Sequence, residues 1–315
     1  MSKKLMIYNL NFRLAEDFKT FDVNGYIFYP IPKKQPLRRN IYTSDDALKE
    51  NREMSLNAFV EIPHMQPESI LYKGGRYSER RKRKLLDDIL VIISCCIGRN
   101  VVAKFMRVFR GFPTESGKHC EMVAKNSEHL KTYLEIALRH LSDPIWQTTY
   151  EDGFHLKMFY NASNIYVTEP RFLADITVWE YLYYRENTHF TYRQLNSVTL
   201  NTKIKYLISK FLLNTKAVFP EERFRIFSDL RNQLSHSGKL PIKNPKSLFN
   251  NLGWVGCEKY LELFKRLTQA LVLKTMGIEA LDRMSTFSVR SFLEELTREG
   301  RVRLFEEMDR RGIEF

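Results

Sequence analysis

The residues best suited to chemistry lie in one short segment, Phe224 to Pro241, which reads FRIFSDLRNQLSHSGKLP. It contains Arg231-Asn232, three further residues, then His236. Histidine titrates near neutral pH and can move a proton in either direction. Arginine stays charged, and its planar fork matches the oxygens of a phosphoryl group. Asn232 adds an amide that can orient an anion or the imidazole. It stands four residues before His236, on the same helical face. Arg231 stands five residues before His236, off that face, so a long side chain, a frayed last turn or a second subunit must close the gap. An Arg and a His at this spacing arise by chance about once in a chain this basic, so the setting carries the weight. Pro220 suits a first helical turn, Glu221 and Glu222 complement the positive helix end, and Gly238 and Pro241 stop the helix.

The surrounding elements divide the chain in two. Residues 1–143 read as a mixed α+β region. Leu5 to Leu14, Tyr26 to Ile31, Ser55 to Ile62 and Val101 to Phe109 are strand candidates, and Asn24-Gly25 marks a turn. Leu85 to Ile97 has the apolar density of a buried helix. Residues 144–315, beyond a break at Asp143-Pro144, read as all-helical. Met122 to Leu141 leads into this part. Helices are expected over Phe154 to Asn161, Arg171 to Arg185, Leu200 to Leu213, Pro220 to His236 and Val255 to Met276. Two short ones, Phe287 to Leu296 and Val302 to Arg310, are expected as a C-terminal extension.

Composition narrows the function classes. The chain has 315 residues, 43% hydrophobic and 28% charged, in the range of an ordinary globular protein. No apolar run reaches the roughly 18 residues of a membrane span. With no signal core at the N-terminus, a cytoplasmic protein without membrane contact is expected. The formal net charge is +13, a field that attracts polyanions. Nucleic acid is the obvious partner, because phosphate contacts supply most nonspecific affinity. Arg80, Arg81, Lys82, Arg83 and Lys84 form a basic run near Tyr72 and Tyr77. Such runs can track single-stranded RNA, and a charged helix start or loop is the competing reading. Cys95, Cys96, Cys120 and Cys257 make no zinc pattern, and buried thiols are expected. No metal-ligand cluster, P-loop or dinucleotide fingerprint is present. Arg185 with His189, and the pairs Glu294-Glu295 and Glu306-Glu307, are weaker groupings read as solvated surface, and His119-Cys120 suggests a thiol nucleophile but has no third residue to orient it.

The segment LRNQLSHSG resembles the Arg-polar-x-x-x-His motif of the HEPN superfamily, which ends the third helix of a four-helix bundle. The resemblance extends to EPRFLADITVWEYLYY, Glu169 to Tyr184, which looks like the first bundle helix. Phe154 to Asn164 and Leu85 to Val102 look like the ApeA-like branch associated with anti-phage defence. It covers about Phe154 to Met276, is specific at the motif and looser elsewhere. It implies a metal-independent endoribonuclease without cofactor that uses the neighbouring 2′-hydroxyl of RNA as nucleophile. The products would be a 2′,3′-cyclic phosphate and a 5′-hydroxyl. His236 would transfer the proton, Arg231 would stabilise the phosphate, Asn232 would orient, and Glu180 would partner Arg231. The resemblance further implies a homodimer with two motifs facing one groove. Phe224, Ile226, Phe227 and Leu230 would then be shared between core and dimer seam. A toxin-like role in abortive infection would follow, with a neutralising or phage-derived activator protein as partner and residues 1–143 as a sensor. The competing reading is a catalytically silent module that dimerises and binds RNA or protein. There Arg231 would be a strut on Glu180, and His236 would cap the helix.

Overall fold

A computed structural model describes residues 3–8, 19–23, 26–30, 56–62, 77–97, 101–105, 108–110, 123–124, 126–163, 165, 168–212, 221–244, 247, 249–250 and 252–279. The fold is α+β. Its contacts separate two compact units, Met1–Tyr166 with Met276–Ile278, and Val167–Thr275 with Glu279–Phe315. The expected break at Asp143-Pro144 therefore falls inside the first unit. There Asp143 is only a local helix cap, accepting from Ile145 N at 2.9 Å.

The first unit holds a six-stranded antiparallel sheet in the order β2-β3-β4-β1-β5-β6. The strands are β1 (Lys3–Tyr8), β2 (Phe21–Val23), β3 (Tyr26–Pro30), β4 (Leu56–Ile62), β5 (Val102–Phe105) and β6 (Val108–Arg110). β3 and β4 are rich in branched and aromatic residues, which fit a pleated surface. β1 lies inside the sheet, pairing Lys3 with Ile62 on β4 and Met6 with Lys104 on β5. The β2–β3 pair sets Phe21 opposite Phe28, with rings stacked at 4.7 Å. Asn24 and Gly25, the expected turn, lie outside the described residues.

The helices described in this unit are α1 (Tyr77–Ile97), α2 (Ser127–Leu141), α3 (Pro144–Thr149) and α4 (Phe154–Ser163). The basic run Arg80–Lys84 is thus the early part of α1, on helical backbone. The apolar end of α1 is buried through Ile89, Ile92, Ile93 and Cys96. Asn126 starts α2 by accepting from His129 N at 2.8 Å, and Leu130, Leu134, Ala137 and Leu138 form its buried stripe. The turn between α3 and α4 carries consecutive positive φ angles at Glu151, Asp152 and Gly153. That conformation favours Gly at its end.

The second unit is helical: α5 (Thr168–Glu186), α6 (Tyr192–Ser197), α7 (Leu200–Leu207), α8 (Glu221–Ser237) and α9 (Trp254–Thr275). A π-helical turn, Ile208–Leu212, continues α7. α5, α7, α8 and α9 pack against one another. Aromatic rings tie three of them together: Phe264 of α9 lies 5.0 Å from Phe172, 5.2 Å from Trp179 and 4.8 Å from Phe227. Trp179 sits in this core with no exposed surface, and its indole N–H donates to Thr268 Oγ1 at 2.8 Å. Its polar handle is therefore satisfied, as burial requires. On α5, Arg171 and Asp175 form a buried pair at 3.0 Å. Burial pushes the Asp175 carboxyl up to about 6, against the lowering effect of Arg171. The expected helices over Phe287 to Leu296 and Val302 to Arg310 lie outside the described residues. No described helix is long and apolar enough to cross a membrane.

Candidate functional site

The helix that carries the motif, α8, is amphipathic. Phe224, Ile226, Phe227, Leu230 and Leu234 are all buried. This corrects the expected sharing of Phe224, Ile226, Phe227 and Leu230 with a dimer seam. Neighbouring helices of the same unit already cover this face, so none of the four is left for a partner. The opposite stripe, Arg225, Ser228, Asp229, Asn232 and His236, follows the three- and four-residue spacing of one helical face.

Arg231, Asn232 and His236 are all exposed near the end of α8. Arg231 Nη1 donates to Asn232 Oδ1 at 3.2 Å, so the two neighbours act as one polar group. The helix is closed by Gly238, at φ +64°, whose N–H donates to Leu234 O at 2.9 Å. This is a left-handed C-terminal closure, and it leaves the capping role to backbone rather than to His236.

The expected pairing of Glu180 with Arg231 is not the one formed. Glu180, on α5, accepts from Lys203 Nζ of α7 at 2.9 Å. Lys203 also donates to Tyr184 Oη at 3.2 Å and lies 4.8 Å above that ring. The Lys203 side chain is 4% exposed. Burial would lower its pKa, but the bonds to Glu180 and Tyr184 outweigh this and hold it above the ordinary lysine value. A carboxylate this close to a buried ammonium is a structural counter-charge. No sequence signal distinguishes Lys203 from the other lysines as the partner.

Two features of the site lie beyond the reach of local sequence patterns. The first is Gln233, which the motif treats only as a spacer. Its Nε2 donates to Ser237 Oγ at 2.6 Å and to Lys239 O at 3.0 Å, and its Oε1 accepts from Lys243 N at 3.2 Å. One amide thus holds the loop that follows His236. The second is a cavity of about 310 Å³ lined by Thr199, Leu200, Asn201, Arg225, Ser228, Asp229, Arg231 and Asn232. Within this lining Ser228 Oγ donates to Asn201 Oδ1 at 2.7 Å. Asp229 accepts from the Ser247 hydroxyl and lies 4.0 Å from Arg225. Arg231 and Asn232 therefore border a polar recess, and His236 stands one turn beyond it.

The weaker groupings gain no chemistry from the fold. His189 is exposed and rests against Phe190, with ring centroids 4.1 Å apart. Cys95, Cys96 and Cys257 are buried thiols, and burial raises the pKa of Cys96 and Cys257. His119, Cys120, Glu294, Glu295, Glu306 and Glu307 lie outside the described residues, as do the side chains of Arg80–Lys84. Among the described residues, no three His, Cys, Asp or Glu side chains gather in a way that could hold a metal ion. The chain matches no protein-family model, no curated protein and no solved structure.

Proposed function

We propose that this chain is a metal-independent endoribonuclease of the HEPN type, with α5, α7 and its π-helical continuation, α8 and α9 as its four-helix bundle. The observation that carries this reading is the joined Arg231–Asn232 pair beside a polar cavity, with His236 on the same exposed face as Asn232. In the proposed reaction His236 takes the proton from a 2′-hydroxyl. The 2′-oxygen attacks the adjacent phosphorus, and the bond from phosphorus to the 5′-oxygen breaks. Arg231 stabilises the charge that grows on the equatorial oxygens, as a positioned guanidinium can. Asn232 orients through its amide. His236 returns the proton to the departing 5′-oxygen, so the products are a 2′,3′-cyclic phosphate and a 5′-hydroxyl. Glu180 has no direct part, since Lys203 engages it.

Arg231 and His236 stand five residues apart on one helix, so a second copy of the chain supplies the complementary motif in this reading. The biological role proposed is that of a toxin-like effector in anti-phage defence, with the sheet-containing unit as its sensor. A second reading, a catalytically silent binding module, draws on one observation: the acidic partner that the motif's resemblance implies for Arg231, Glu180, is engaged by Lys203 instead.

Purified protein incubated with total RNA in EDTA separates the two. The expected result is cleavage that His236→Ala and Arg231→Ala each reduce at least 10²-fold, about the lower end of what a general acid–base group contributes. Both side chains are exposed, so the melting temperature should hardly change. Cleavage that survives both substitutions, or that requires magnesium, refutes the mechanism.

A further inference from the structure

The cavity on α8 does more than border the motif. Its lining has an unequal balance of polar groups. Asn201 has its carbonyl oxygen taken by Ser228, and Asn232 has its oxygen taken by Arg231. The amide groups of both are then left as donors. Arg225 and Arg231 add two guanidiniums, neither of which can accept a hydrogen bond. The single carboxylate of the lining, Asp229, accepts from Ser247 through one oxygen, and its other oxygen lies 4.0 Å from Arg225, so two cations face one anion. What the cavity offers a ligand is therefore hydrogen-bond donors and a net positive charge beside apolar surface that includes Leu200. That combination selects a phosphate oxygen together with a flat or apolar group next to it.

Position adds a second constraint. The stripe Arg225, Ser228, Asp229, Asn232 and His236 runs along one face of α8. At about 1.5 Å per residue, Asn232 lies about 6 Å and Ser228 about 12 Å from His236 along the axis. His236 is not among the lining residues. A phosphate seated deep in the cavity is consequently too far along the helix to be the one whose 2′-hydroxyl neighbour His236 deprotonates. Of the lining residues on α8, Arg231 and Asn232 are the nearest to His236 along the chain. The cavity volume, about 310 Å³, lies at the low end of the range for small-ligand sites, which suits one nucleotide and not a longer stretch.

We infer that this cavity is a subsite for the nucleotide next to the scissile bond. Arg225 and Asn201 hold its phosphate, Leu200 packs on its sugar or base, and Arg231 and Asn232 are left to the scissile phosphate. The inference rests on the nuclease reading for the identity of the ligand, but not for its chemistry. It assigns Arg225, Asn201 and Ser228 a role in substrate binding that the motif alone does not imply. Arg225 and Asn201 are positioning residues, since neither reaches the reacting atoms at His236.

The test uses the full chain and two kinds of probe. Isothermal titration of 3′-UMP, 3′-AMP and inorganic phosphate measures the subsite without any cleavage. Arg225→Gln is the main variant, because that side chain is 48% exposed and its loss should leave folding intact; Asn201→Ala is the second, with melting curves recorded for both. The expected result is nucleotide binding that each variant weakens about tenfold, the scale of one lost charge-assisted bond. Inorganic phosphate should bind more weakly than either nucleotide, because it leaves Leu200 uncovered. With RNA, Arg225→Gln should raise KM more than it lowers kcat. Unchanged 3′-UMP affinity in a folded Arg225→Gln variant overturns the subsite even if His236→Ala abolishes cutting. Nucleotide binding that depends on Arg225, in a protein that never cuts RNA, upholds the subsite and overturns the nuclease reading instead.

Discussion

Replacing Glu180 by Gln tests whether this carboxylate is structural or part of the RNA chemistry. The substitution keeps an acceptor of nearly the same shape but removes the charge that faces Lys203 Nζ at 2.9 Å. Lys203 has 4% of its side chain exposed, whereas Glu180 has 29%. The two halves of the pair are therefore unequal. An ammonium left without its counter-charge cannot reach water, and that situation costs about 3–5 kcal/mol when a buried pair is broken. The reciprocal change, Lys203→Met, leaves a carboxylate that can turn towards solvent. Its expected cost is about 1.5–3 kcal/mol, the value of one hydrogen bond to a charged group. Tyr184 keeps a partner in that variant, through its bond to Asn196 Oδ1 at 3.1 Å. Chemical denaturation of the two single variants and the double variant forms a complete cycle. Glu180→Gln should be the more destabilising single change, and adding Lys203→Met to it should restore stability. RNA cleavage per folded molecule should be unchanged by Glu180→Gln. A larger cost for Lys203→Met than for Glu180→Gln would refute the structural role. So would a Glu180→Gln variant that stops cleaving without losing stability, because the carboxylate would then be serving Arg231.

Three further outcomes are expected. His155 is fully buried beside Trp146 and Tyr150, and burial lowers its pKa from 6.5 to about 3. The unfolded chain therefore binds the extra proton first as pH falls, and stability present above about pH 6.5 is lost towards pH 3, by up to about 1.4 kcal/mol per pH unit; His155→Phe should remove that slope in acid denaturation followed by tryptophan fluorescence, and an unchanged slope would exclude His155 as its source. Neutralising Arg80, Arg81, Lys82, Arg83 and Lys84 together should weaken RNA binding and reduce the log–log salt slope by more than one unit, at about 0.7 per phosphate contact; an unaltered slope would make the early turns of α1 a solvated surface. Light scattering at micromolar concentration should report a dimer, and a fully active monomer would exclude a composite site built from two copies.

The amphipathic course of α8 is legible in the amino-acid sequence alone, because a 3.6-residue period of Phe224, Phe227, Leu230 and Leu234 leaves few alternatives to a buried helical face. The same local logic places Arg231, Asn232 and His236 at the helix end, marked by Gly238, and it orders the helices from Phe154 to Met276 apart from α6, whose segment reads as a polar loop. Strands β3 and β4 are also visible as branched and aromatic runs. Other properties depend on contacts between segments far apart in sequence. Nothing local in Lys203 or Glu180 says that α5 and α7 will bring them within 2.9 Å. The order of the six strands places β1 between β4 and β5, a choice made by pairing energies across long separations. The burial of Phe224 and Ile226, expected in part at a dimer seam, is decided by how much surface the neighbouring helices cover. The cavity has the same origin. Arg225 and Asn201 acquire a common use only when the start of α7 meets the polar stripe of α8. Periodicity records which face of an element is apolar, but which residues share a pocket is set by the packing of one element on another.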